Sequence, residues 1–328
     1  MDCPEGEQGG VSVKNNKSVE LELTRELVEQ HIVAALGVVP GRFHRDVDAW
    51  LEEDFGSGDA SIWTQNAIAR RMRVEIIAKQ DFKLCGLYFM AAIFQRAHGF
   101  ARCQLFSQFS DGAEVKRGEV VLRGEGDAAA LLLGERVSLN LTARLSGVAS
   151  KTQQMKRLIQ EAVAGNNIAA PALLETRKTT PGIRLYEKYA TRVGGARNHR
   201  HSLDTGLMLK ENHLRSFGGI SAALQKARTE AAILTRIEVE VSSLSEFNEA
   251  LQGGADVIML DNFSLQGIKE AVELRRKSGH SVALEVSGNL TEENISAAAQ
   301  LGVDYLSSGA LIHQATWVDL SMQLYPLE

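Results

Sequence analysis

From about Leu139 onward the chain repeats one pattern: a short apolar run, a polar cluster, then a helix-like stretch. The apolar runs are Ala169–Leu174, Leu207–Leu209, Ile237–Val241, Val257–Leu260, Val282–Val286 and Tyr305–Leu306. Helical spacing fills intervals such as Leu244–Leu251, Leu265–Arg276 and Glu292–Leu301. Nearly unbroken apolar runs are what parallel strands buried on both faces require. Repeated β–α units of this length restrict the fold to a parallel barrel or a doubly wound sheet.

The polar residues fall where such a fold does its chemistry. The runs end in Glu175-Thr176-Arg177-Lys178, Lys210, Glu240, Asp261, Ser287-Gly288-Asn289 and Ser307-Ser308-Gly309. Asn198-His199-Arg200 reads as the end of one more short strand. In an α/β barrel the C-terminal ends of all strands share one face, and that face carries the active site. These stations continue through every unit, which favours the barrel over the open sheet.

The first part of the chain reads differently. Residues 1–18 are polar and Gly-rich and are expected to form a flexible tail. Residues 19–138 mix helix and strand signals, predicting an α+β domain. Thr24 is a capping residue for a helix over Thr24–Leu36 with apolar positions Leu27, Ile32 and Ala35. Arg73–Ala78 and Glu119–Arg123 are strand-like, and the apolar run Leu84–Phe94 reads as a buried helix. Residues 139–315 then form the barrel domain, and residues 316–328 are placed to pack back on the first domain.

Composition bounds the partners. The net charge of −5 gives no overall attraction to nucleic acid or anionic lipid. Cys3, Cys85 and Cys103 are odd in number and far apart, fitting neither a disulfide framework nor a zinc site. That usage favours a reducing compartment. The first eighteen residues contain no apolar export core, and Leu84–Phe94 is too short to cross a bilayer. The expectation is a cytoplasmic protein without membrane or nucleic-acid partners; an import signal in a longer precursor stays open.

Against this acidic background, residues 177–215 hold nine Lys or Arg, three His and three acids. Arg184, Lys188 and Arg192 follow helical spacing and read as a solvated helix face. Arg177, Lys178, Arg200 and Lys210 stand at strand ends, where a bound anion explains them better. Guanidinium forks suit carboxylates and ammonium groups suit phosphates, so the mixture suggests a substrate with both. His199 is either a structural hydrogen-bonder or a substrate ligand. His313 could face a phosphate or cap a helix. Glu240 and Asp261 could balance the bases, hold ribose hydroxyls, or hold a divalent cation through oxygen. The loops Ser287-Gly288-Asn289 and Ser308-Gly309 are small enough for backbone N–H groups to meet a phosphate, with Thr291 as N-cap of a helix from Glu292.

These blocks resemble a known family. Thr176-Arg177-Lys178-Thr179-Thr180-Pro181-Gly182, Glu187-Lys188-Tyr189-Ala190, Asn198-His199-Arg200 and Leu209-Lys210-Glu211-Asn212-His213 are similar to quinolinate phosphoribosyltransferase. So are Ile237–Val241, Met259-Leu260-Asp261-Asn262, Glu53–Asp59, and Gly134-Glu135-Arg136 leading to Arg144-Leu145-Ser146-Gly147. The resemblance implies an N-terminal α/β sandwich and an open seven-stranded α/β barrel, the type II phosphoribosyltransferase fold. It implies Mg²⁺-dependent transfer of phosphoribose from phosphoribosyl pyrophosphate to quinolinate, yielding nicotinate mononucleotide, pyrophosphate and CO₂ in NAD biosynthesis. It assigns quinolinate to Arg177, Lys178, His199, Arg200 and Lys210, with Arg136 supplied by a neighbouring subunit of a homodimer that in some members builds a hexamer. Metal and ribose fall to Glu240 and Asp261, and the 5′-phosphate to Ser287, Gly288, Asn289, Ser308 and Gly309, with His313 beside them. Lys178, Glu240 and Asp261 carry the catalytic expectation. Glu175, Ala60-Ser61 and His201-Ser202 depart from the commonest pattern. A phosphoribosyltransferase for nicotinate, or a non-catalytic anion binder on the same barrel, are the rival readings.

Overall fold

The computed structural model describes residues 20–60, 70–99 and 103–327. The expected tail over 1–18, Cys3 and Ser61 of the Ala60-Ser61 pair lie outside the described residues.

The first half contains β1 (Leu21–Glu22), α1 (Arg25–Leu36), α2 (Pro40–Phe55), β2 (Arg71–Ala78), β3 (Phe82–Lys83), α3 (Leu87–Ala97), β4 (Gln104–Ser107), β5 (Glu114–Val115), β6 (Val120–Asp127) and α4 (Ala128–Val163). Thr24 caps α1, its Oγ1 accepting from the Leu27 N–H at 3.3 Å. The buried face of α1 is Val28, Ile32 and Leu36, with Leu27 and Ala35 at its margin. The apolar run from Leu84 enters α3 only at Leu87. Gly86, at φ 106°, turns the chain there, and the Asp111 carboxylate accepts from the Gly86 and Leu87 N–H groups, each at 2.9 Å. Those two bonds satisfy donors that a helix start leaves open.

The second half contains β7 (Ala172–Leu174), α5 (Arg184–Val193), β8 (Leu207–Leu209), α6 (Glu211–Phe217), α7 (Ile220–Glu230), β9 (Ile237–Val241), α8 (Leu244–Gln252), β10 (Val257–Asp261), α9 (Leu265–Ser278), β11 (Ala283–Ser287), α10 (Ile295–Ala299), β12 (Tyr305–Ser307), α11 (Ala310–His313) and β13 (Leu320–Pro326). Strand order is β7-β12-β11-β10-β9-β8, all parallel. Six strands form the ladder. The seventh position is reduced to one parallel bridge, Arg197 beside Leu174. The sheet nevertheless curls. His199, two residues beyond that bridge at one edge, reaches Glu285 on β11 and Glu238 on β9, which a flat sheet would hold several strands away. The result is an open barrel with its seam between Arg197 and β8.

Period-two alternation divides each barrel strand. Ile237, Val239 and Val241 on β9, Ile258 and Leu260 on β10, and Leu284 and Val286 on β11 are buried toward the helices. Glu238, Glu240, Met259, Asp261, Glu285 and Ser287 take the opposite, inner face. The register aligns Met259 with both Glu240 and Glu285, and Asp261 with Ser287. The helix expected over Glu292–Leu301 is shorter, Ile295–Ala299. Thr291 is not its N-cap: its N–H donates to Asn294 Oδ1 at 2.9 Å, and a turn over residues 292–294 precedes the helix.

Two elements join the halves. α4 runs for 36 residues without a break, so residues 138 and 139 sit inside one continuous helix. The five-stranded antiparallel sheet has the order β1-β4-β6-β2-β13, so the last strand of the chain pairs with β2 along seven residues. No helix among the described residues is long and apolar enough to cross a membrane.

Candidate active site

A cleft of 590 Å³ opens at the C-terminal ends of the barrel strands. One wall carries Arg177, Lys178, His199 and Arg200; Lys210, Glu240 and Asp261 face it; Ser287–Thr291 and Ser307–Gly309 close the far end beside His313. Every barrel residue expected at the site lines this one cavity. Arg136 does not. It is 61% exposed on α4 and lines a separate surface recess with Trp50, Asp54 and Trp317.

The cationic wall is held from behind by two buried ion pairs. Lys188 was expected on a solvated face, but it is fully buried against Glu175. Burial pulls its ammonium below the ordinary lysine range, and the Glu175 charge works to restore it. The same carboxylate accepts from the His199 N–H at 3.1 Å and from Asn198 Nδ2 at 3.0 Å. Glu175 therefore ties the end of β7, which leads into Arg177, to the segment that carries His199 and Arg200. In the second pair, Arg144 Nε donates to Glu187 at 2.9 Å, while its Nη groups donate to the Ile312 and Ala315 carbonyls. Glu187 also accepts from the Thr180 N–H and hydroxyl, each at 2.8 Å. That fixes the loop after Lys178 against α4 and the end of α11. Arg184 donates to Thr179 Oγ1 at 2.9 Å, and Arg192 remains exposed.

His199 is engaged at both ring nitrogens. Its Nδ1 accepts from the Arg200 N–H at 2.7 Å, and its Nε2 faces Glu238 at 3.2 Å and Glu285 at 3.6 Å. Burial opposes the imidazolium, but the Glu238 hydrogen bond and the surrounding carboxylates more than offset it and raise the pKa. The N–H aimed at Nδ1 works the other way, and at 2.7 Å it fixes that nitrogen as an acceptor. Burial pushes the Glu285 carboxyl far above the usual range, and the Glu238 charge adds to it. Sequence reading missed Glu238 and Glu285. Both stand two residues before a strand-end station, Glu240 and Ser287, so strand alternation alone puts them on the same inner face.

Glu240 and Asp261 end neighbouring strands at the cleft surface. Lys210 Nζ contacts Glu240, and Asp261 accepts from Asn262 Nδ2 at 3.1 Å. Two partly exposed carboxylates with no Cys or His beside them form an oxygen donor set. That fits Mg²⁺, which uses one or two carboxylates and keeps the rest of its shell for water and phosphate. Among the described residues, the group of three possible ligands within 4.8 Å of one another is a different one, His199 with Glu238 and Glu285.

The far end is shaped by close backbone approach. Gly288 has φ 101°, and a Cβ there would lie 2.3 Å from Asn262 Oδ1. Asn262 and Asn289 both adopt positive φ, 55° and 49°, and Asn289 Nδ2 donates to Asn262 Oδ1 at 3.2 Å. Such conformations cluster where a loop is shaped for a ligand. A Cβ at Gly309 would lie 2.9 Å from the Lys178 stem and 3.0 Å from the His313 ring. The helices behind these loops have only five and four residues, too short to offer a helix dipole as an anion site. Ser308 Oγ donates to the Leu290 carbonyl at 2.6 Å and shapes the loop. His313 is exposed in the last turn of α11 and caps no helix start.

A curled parallel sheet with a cationic wall, facing carboxylates and small-residue loops in one cleft defines a transferase for anionic substrates. Comparison with known proteins gives the particular lineage. The profile of the quinolinate phosphoribosyl transferase C-terminal domain matches residues 148–323, and that of the N-terminal domain matches residues 61–146. The probable nicotinate-nucleotide pyrophosphorylase [carboxylating] of Synechocystis is 40% identical over 276 residues, covering 84% of this chain and 90% of that protein. The human nicotinate-nucleotide pyrophosphorylase [carboxylating] is 35% identical over 282 residues, covering 86% and 91%. The crystal structure of NadC from Streptococcus pyogenes superposes with a TM-score of 0.80 at 37% identity, covering 89% of this chain and 99% of that one. The chain belongs to the quinolinate phosphoribosyltransferase family, and it is a pentosyltransferase.

Proposed function

We propose that this enzyme transfers phosphoribose from phosphoribosyl pyrophosphate to quinolinate, giving nicotinate mononucleotide, pyrophosphate and CO₂. The observation that carries this reading is one cleft in which Arg177, Lys178, His199 and Arg200 face Glu240 and Asp261. Two adjacent carboxylates on a pyridine ring call for paired guanidinium groups with an ammonium beside them, and the wall supplies both. Phosphoribose enters from the other side, its 5′-phosphate against Ser287–Asn289 and Ser308-Gly309, near His313.

Glu240 and Asp261 would hold Mg²⁺, which would supply positive charge to offset that of the pyrophosphate group. Glu240 and Asp261 also stabilise the positive charge that builds on the ribose as its C1–O bond to pyrophosphate loosens. Lys178 and Lys210 offset the phosphate charge. Arg177 and Arg200 align the pyridine nitrogen for attack on C1, so positioning supplies much of the rate. Once ribosylated, the ring nitrogen is cationic and stabilises the carbanion left on C2 when its carboxylate departs as CO₂; C2 then takes up a proton from solvent. No protein nucleophile is required.

The test is a product assay with the purified chain, Mg²⁺ and each acid in turn. Nicotinate mononucleotide and CO₂ from quinolinate are expected. Turnover of nicotinate but not quinolinate, or tight anion binding without turnover, overturns the reading.

The exposed Arg136 completes the quinolinate wall of a partner subunit in a homodimer, on this reading. Arg136→Ala and Lys178→Ala subunits, each inactive alone, are expected to regain on the order of a quarter of wild-type activity after random pairing, because one site per mixed dimer is intact. Confirmed subunit exchange with no recovery rejects the shared site.

A further inference from the structure

Glu238 and Glu285 take no part in the chemistry above, yet they are 9% and 2% exposed on the inner face of the barrel. Their neighbours on that face include Met208 and Met259, which need no carboxylate partner. Burying two carboxylates side by side is costly unless each is paired. One oxygen of each, Glu238 Oε1 and Glu285 Oε1, has no hydrogen-bond partner among the described residues. The remaining oxygens converge on His199 Nε2. The compensation for these acids thus runs chiefly through one imidazole.

The consequence passes along that ring to the substrate wall. With Nε2–H directed at Glu238, Nδ1 is left as the acceptor of the Arg200 N–H. The guanidinium of Arg200 is then braced by the Gly206 carbonyl at 3.2 Å. Glu238 does not line the main cleft. It faces a second recess of 250 Å³ at the barrel seam, which shares His199, Arg200 and Glu285 with the cleft. A residue outside the cleft cannot contact quinolinate, but it can set the ring that separates the two cavities.

We infer that Glu238, backed by Glu285, is a positioning residue that fixes the His199 ring and through it the Arg200 end of the quinolinate wall. This rests on the function proposed above and goes beyond it. Glu285 feels the Lys210 charge and shares its strand with Ser287, so the test is made at Glu238, which does not line the cleft that holds Lys210 and the Ser287–Asn289 loop.

The experiment is steady-state kinetics on Glu238→Met, Glu238→Gln, His199→Phe and the His199→Phe/Glu238→Met pair. Glu238→Met, which removes the acceptor, is expected to raise the quinolinate KM about tenfold, the size of one charge-assisted hydrogen bond. kcat and the phosphoribosyl pyrophosphate KM should stay near wild type. Glu238→Gln keeps an acceptor oxygen and should recover most of the loss. In the pair, Glu238→Met should add nothing to His199→Phe. Multiplying effects, an equal rise in both KM values, or a fall in kcat alone overturns the inference. A readout independent of turnover is the side-chain ¹⁵N spectrum of His199, expected to show protonated Nε2 and acceptor Nδ1 in the wild type and to lose that signature in Glu238→Met. An unchanged spectrum also overturns it. Wild-type protein that gives the expected spectrum but forms no product would refute the proposed reaction and leave the positioning role standing.

Discussion

Lys188→Met is expected to lower the unfolding free energy by about 3–5 kcal/mol, the usual cost of stranding one member of a buried ion pair. Both side chains are fully buried, and Glu175 is the ammonium's carboxylate partner. Removing the lysine leaves a carboxylate whose neighbours are the His199 N–H, Asn198 Nδ2 and, at 3.4 Å, the Thr191 hydroxyl. Those dipoles do not replace a charge. The double variant Lys188→Met/Glu175→Leu should recover part of the stability, because it removes the stranded charge but leaves the His199 N–H and Asn198 Nδ2 without their carboxylate acceptor. It should not recover activity, since Glu175 also joins the Arg177 strand end to the His199–Arg200 segment. Urea unfolding and kinetics on the two variants check this. A single variant within about 1 kcal/mol of wild type would mean that the pair is not what holds the wall, given the size of such penalties.

Glu240→Gln and Asp261→Asn are each expected to reduce kcat by about 10²–10³, the range for losing one group preorganised toward developing charge. The two substitutions preserve shape and remove charge. Glu240→Gln additionally releases Lys210, whose ammonium contacts Glu240. Quinolinate affinity should therefore change less than kcat, because the Arg177 and Arg200 wall is untouched. The Mg²⁺ concentration giving half-maximal rate should rise in both variants. If kcat and the Mg²⁺ dependence both stay at wild-type values, these carboxylates neither hold the cation nor stabilise the ribose charge.

Much of this site was legible in the sequence because strand ends in a parallel barrel are announced twice, by an apolar run and by the polar cluster that stops it. Val257–Leu260 followed by Asp261 places that carboxylate on the cleft face without any tertiary information. Lys188 was illegible for the opposite reason. On α5 its spacing matches Arg184 and Arg192, and only the Glu175 carboxylate, thirteen positions earlier, distinguishes a buried lysine from a solvated one. Glu238 and Glu285 lay inside runs that read as apolar, so the alternation that marks them was overlooked. The seventh strand was counted from its polar end, Asn198-His199-Arg200, but backbone pairing there shrinks to a single bridge at Arg197. Helix limits near Thr291 depended on whether a threonine or Asn294 takes the turn, which local sequence leaves balanced.

The pairing of β13 with β2 sets an order on biosynthesis. β2 is made early, yet its partner at Leu320–Pro326 is translated some 240 residues later, as in the contact between Gln80 and Asp319. During synthesis the first sheet has to wait, one strand short, with the Arg71–Ala78 edge open while the whole barrel is assembled. Such long-range closure is slow and exposes a template for wrong pairing. A nascent chain halted before Leu320 would thus carry a finished catalytic face on a scaffold that still invites aggregation.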